Sequence, residues 1–113
     1  MATANFRSGS PVMADYTPAG AVTAGDVVVV DDVAGVAHVD IAAGALGALA
    51  VGGGIYSMTG DAAIVAGSKV WWDNATDKVT ETAGALKIFG YVGPGSSCSG
   101  DGAAVDVVHS PSI

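Results

Sequence analysis

Basic residues are almost missing from this chain. Arg7, Lys69, Lys78 and Lys87 are the only four in 113 residues, against 11 acids, for a net charge of −7. Nucleic-acid binding rests on Lys and Arg displacing counterions from phosphates, so four scattered cations exclude nucleic acid as a partner. Cysteine is reduced to Cys98, which excludes an internal disulfide and the stapled secreted scaffolds. In its Ser/Gly loop that thiol reads as inert. No run approaches the roughly 18 apolar residues of a membrane span, because Gly and Asp interrupt every one, and no membrane partner is expected. The opening MATANFRSGSP holds no apolar core of a signal peptide, so a soluble protein made in a cytoplasm is expected. Leucine is scarce too, at 3 against 17 Val and 5 Ile. Helical cores lean on Leu, whereas β-branched side chains fit pleated surfaces.

What is present points the same way. Seventeen glycines punctuate short apolar runs, the pattern of an all-β domain with many tight turns. Residues 1–10 are small and polar apart from Phe6 and read as an extended N-terminal arm, with residues 11–113 as a single β domain. Candidate strands are PVMADY, VVVVDD, VAGVAHVDI, ALGALAV, GIYSM, KVWWD, KVTET, LKIFGYV and AAVDVVH. Turn signals such as TPAG, VGGG, MTGD, DNATD and GPGSS separate them. AVTAGDVVVV (21–30) aligns with AIVAGSKVWW (63–72) at an offset of 42. This suggests one supersecondary piece used twice, with a single helical turn ending at Gly25 and at Gly67 before a buried strand. Each copy is followed by Gly between apolar residues, in VAGVA and KIFGYV. A small barrel or sandwich made by duplication is expected.

Enzymatic chemistry finds no support. There is no GxSxG elbow, no P-loop and no HExxH, and the lone Glu81 with turn-borne aspartates leaves no carboxylate pair for glycoside chemistry. His38 and Asp40 fall on one strand face, but with His109 distant they do not close a zinc site. No catalytic residue, metal or cofactor is therefore expected. The adjacent Trp71 and Trp72 look like a sugar platform, yet neighbours on a strand point to opposite faces. With Val70 and Trp72 inside, the loop Asn74-Ala75-Thr76-Asp77 returns the chain so that Asp73 meets Lys78 as an acid–base pair and Trp72 meets Val79. Trp71 is left outside, opposite Thr80, at an interface or as a lid over a barrel end.

Taken in order, AGDVVVVDDVAGVAHVDIAAG, GSKVWWDNATDKVTETA, IFGYV and GDGAAVDVV resemble the capsid cement, or decoration, proteins of phage heads. The resemblance implies a small β-rich fold, a partly open barrel or sandwich of the β-tulip kind with one short helix. It also implies a structural virion protein that sits as a homotrimer on the outer surface of the capsid, binds the major capsid protein and holds the lattice against packaged DNA. In that setting Asn5, Phe6 and Arg7 of the arm would add a strand to an exposed edge of the coat, with Trp71 at an intersubunit contact. The rival readings are a carbohydrate-binding module using exposed aromatics and a tail or baseplate component.

Overall fold

The computed structural model describes residues 4–30 and 33–111. Among these residues ten strands form two antiparallel sheets. They are β1 (Asn5–Ser8), β2 (Val12–Tyr16), β3 (Val27–Val30), β4 (Val33–Ala37), β5 (Gly47–Gly52), β6 (Ile55–Thr59), β7 (Lys69–Asp73), β8 (Lys78–Thr80), β9 (Lys87–Val92) and β10 (Ala104–His109). One sheet has six strands in the order β1-β6-β10-β9-β7-β8, and the other four in the order β2-β5-β4-β3. The nine expected strands are all present, except that VAGVAHVDI ends at Ala37, so His38 and Asp40 lie beyond the strand and do not share a strand face, and that the Asp31–Asp32 end of VVVVDD lies outside the described residues. Neither sheet closes on itself, so the architecture is a sandwich and not a barrel.

The expected short helix is absent among the described residues. At Gly25 and Gly67 the chain makes tight turns instead, closed by Asp26 N–H to Thr23 O (3.0 Å) and Ser68 N–H to Val65 O (3.3 Å). Gly25 and Gly67 take φ of 89° and 82° at the third position of those turns, as a type II turn requires. The physical reason is length: one hydrogen-bonded turn does not offset the cost of nucleating a helix, and left-handed Gly stops propagation at once.

The repeat, by contrast, runs through the whole domain. Without β1 and β8, the order β6-β10-β9-β7 of the larger sheet reproduces β2-β5-β4-β3 of the smaller. Registers agree as well. Ala14 opposite Leu49 is matched by Tyr56 opposite Val107, and Val28 opposite Gly35 by Val70 opposite Gly90. Ala37 opposite Leu49 is matched by Val92 opposite Val107. Lone bridges do the same, Val22–Ile41 in one half and Ile64–Cys98 in the other. The 42-place offset holds from β2 and β3 to β6 and β7, and the β8 hairpin is the principal insertion thereafter.

The two sheets enclose one core. Ala34, Val36 and Ala50 of the smaller sheet pack with Tyr56, Trp72 and Phe89 of the larger in a single buried cluster. The tryptophan reading holds: Val70 and Trp72 are 0% and 2% exposed, and Trp72 lies opposite Val79 with Trp71 opposite Thr80. One detail differs. Asp73 and Lys78 are register partners, but the Lys78 ammonium reaches Asp101 at 2.7 Å, while Asp73 Oδ1 accepts the Ala75 N–H at 3.0 Å. The short Asp side chain satisfies its own turn first, which leaves the long Lys free to cross to the 100–103 turn.

Candidate functional site

β1 is an edge strand, and that fixes the surroundings of the arm residues. Asn5 and Phe6 are registered with Ser57 and Tyr56 of β6, with a bulge before Ser8, and the Ala4 N–H donates to Gly25 O at 2.9 Å. Phe6 lies on the core side of the sheet, its ring 4.9 Å from His38 and 5.5 Å from Tyr56, yet it stays 44% exposed. Arg7 faces the other way, its guanidinium 3.7 Å from the Asp106 carboxylate. Both partners are well exposed, so this pair adds little stability.

Trp71 is on β7, near the opposite edge of the same sheet. Three strands separate it from β1, a distance of about 19 Å at the usual strand spacing. The structure therefore does not bring Asn5, Phe6 and Arg7 together with Trp71 in one patch. Trp71 is half-buried on the outer face, between Thr80 of β8 and Ile88 of β9.

Behind Phe6 runs a row of rings that sequence reasoning missed. Tyr56 stands edge-on to His38, Phe89 and His109 with centroids 5.7, 6.2 and 5.7 Å away, and Phe89 stacks on His109 at 4.5 Å. His38 Nε2 and the Tyr56 hydroxyl share a 2.6 Å hydrogen bond, and burial pushes the Tyr56 hydroxyl up to about 12. His109 is buried, and its Nε2–H donates to Ala34 O at 2.6 Å. Its Nδ1 has no partner among the described residues. Burial holds the His109 imidazole below its ordinary pKa, against the opposing effect of the Ala34 bond. It is thus a neutral ring that ties the two sheets together. The sequence signal was faint: GIYSM and AAVDVVH read as strands, but nothing in them told which sheet each would face.

Asp40 does not join the histidines. Its Oδ1 accepts the Ala24 N–H at 2.8 Å, and no group of three His, Cys, Asp or Glu is placed to hold a metal among the described residues. Cys98 is 3% exposed, with its Sγ 3.2 Å from Gly100 O, a weak S–H donor in a packed bridge. The surface presents a β1 edge with Phe6 half-exposed, and a broad outer face on the six-stranded sheet.

No curated protein and no solved structure matches the chain. A family model described as phage cement protein matches residues 6–107, nearly every strand described above. With its all-β sandwich and its contact surfaces, the chain belongs to the phage cement protein family, structural proteins of the phage capsid.

Proposed function

We propose that this protein binds the outer surface of the phage head, contacts the major capsid protein and stabilises the lattice against the pressure of packaged DNA, as a homotrimer. The observation that carries the reading is the β1 edge. It is the outermost strand of the six-stranded sheet, and one more strand can pair with its backbone. Phe6 leaves 44% of its surface available beside that edge. Arg7, one of only four cations, stands on it as well. Asn5, Phe6 and Arg7 are the coat-binding residues in this reading, and many copies on a lattice multiply a weak contact. Cementing follows when one copy touches two coat subunits, because separating them then requires breaking the added contacts too.

The test is occupancy on purified particles, measured as the ratio of this chain to the major coat protein. A ratio fixed by the lattice, lowered several-fold by Phe6→Ala combined with Arg7→Glu, is expected. Particles stripped of the protein should also release DNA at lower temperature. A handful of copies per particle would instead indicate a tail or vertex component, and unchanged occupancy in the double variant would remove the β1 edge.

A further inference from the structure

The duplication has an orientation. In the six-stranded sheet the face toward the core carries Tyr56, Val107 and Val92. Their register counterparts in the four-stranded sheet, Ala14, Leu49 and Ala37, are not in that core cluster. The smaller sheet enters the core through its opposite face, with Val36 and Ala50, the counterparts of Tyr91 and Val108. The two halves are therefore stacked front to back and not face to face. Each end of the stack is left with half of an interface that the molecule already contains, although at the four-stranded end Ala37 and Leu49 are already buried and the open part lies around Ala14, Val30 and Val33.

Those two ends fit each other in volume. On the free face of the four-stranded sheet, Ala14 stands where the other half has Tyr56, and Val30 where it has Trp72. The result is an apolar groove of about 190 Å³ between Ala14, Val30, Val33, Gly35 and Leu49. Val30 and Val33 in it are 44% and 39% exposed. On the outer face of the six-stranded sheet the sizes reverse. Ile55, Val108 and Tyr91 form a cross-strand row that ends on Lys69, with the Trp71–Ile88 pair beside it. Inside the molecule large residues of the larger sheet meet small ones of the smaller, and between copies the bulk of this outer row would meet the groove. Charge plays a smaller part: Asp15 lines the groove and Lys69 stands opposite Tyr91 on the outer face of the larger sheet, whereas Arg7 on that face is already engaged by Asp106.

We propose that a second copy of this chain seats the outer face of its six-stranded sheet, through Tyr91 and Trp71, in the groove on the free face of the four-stranded sheet. The contact is heterologous, repeats the intramolecular sheet packing, and leaves a used and an unused face on every copy, so it closes into a ring or runs on. It deepens the self-assembly part of the reading above, while coat binding rests on the β1 edge, so the two fail separately.

The experiment is sedimentation equilibrium of the full chain at up to millimolar concentration, with Val33→Lys and Tyr91→Lys variants that each disable one face. Wild type should associate, each variant alone should lose association, and an equimolar mixture should form a dimer and nothing larger. Val30→Lys and Ile55→Lys lie on the same two faces and repeat the test if either first variant fails to give the wild-type circular dichroism. A monomeric wild type, a variant that associates alone, or a mixture that stays monomeric would overturn the proposal.

Discussion

Replacing Trp72 by Ala separates the two adjacent indoles by energy. Trp72 is 2% exposed and sits in the seam where Val27 and Val29 of β3 approach β7. A buried aromatic of this size removes about 150–250 Å² from water, or about 4–6 kcal/mol at 25 cal/mol per Å². An extended reference chain makes that an upper bound, and large aromatic to Ala changes in cores cost about 3–5 kcal/mol. The indole N–H bond to Asn74 Oδ1 is long, at 3.4 Å, and adds little. For a domain of this length each kcal/mol lowers Tm by about 4 °C, so the expected loss is about 12–20 °C. Trp71→Ala removes only a half-buried ring from the outer face and should cost about 1 kcal/mol. Urea titration followed by far-UV circular dichroism reads both without depending on the indoles that are removed. A Trp72 variant within about 1 kcal/mol of wild type, or a Trp71 variant that loses more, would refute the assignment of faces.

His109 gives a pH dependence. Its folded pKa is depressed, so stability is full above the unfolded value near 6.5 and is lost as pH falls through the folded pKa, with a slope of at most about 1.4 kcal/mol per unit. Denaturant midpoints at pH 7.5 and 5 should show the drop, and His109→Gln, which keeps a donor for Ala34 O, should flatten it; an equal drop in that variant would assign it to other groups. The duplicated glycines should also behave differently. A Cβ at Gly90 overlaps the Val108 carbonyl oxygen, whereas one at Gly35 comes 3.2 Å from Leu49 Cδ1 and 3.3 Å from Ala50 O, contacts that a shift of a few tenths of an ångström relieves. Gly90→Ala should therefore prevent soluble expression and Gly35→Ala should be tolerated, and equal yields of the two would show that β9 and β10 can part.

Periodicity made the strands legible because a period of two is written in the side chains themselves. The β7–β8 hairpin was readable to the residue, since only one register puts Val70, Trp72 and Val79 on one face. The duplication was visible in AVTAG and AIVAG, but its reach into β2 and β6 was hidden, as VMADY and GIYSM share register and almost no chemistry. Which sheet face would turn inward was illegible, because Leu49 and Ala50 are both buried and alternation alone does not rank them. The arm was legible only as extended chain. NFRS has no apolar stripe of its own, and it becomes β1 only because β6 presents an edge. The Lys78–Asp101 contact joins positions 23 apart in sequence, beyond the range of any local pattern.

The placement of cations has a practical corollary. All four lie on strands of the six-stranded sheet: Arg7 on β1, Lys69 on β7, Lys78 on β8 and Lys87 on β9. Trypsin consequently has no site between Arg7 and Lys69, so a tryptic digest returns the first half of the duplication together with β6 as one long fragment and cuts only from β7 onward. Amine-reactive labels are biased in the same way. Dyes, tethers and surfaces coupled through lysine attach on the side of β7, β8 and β9, leaving the four-stranded sheet and its groove facing outward.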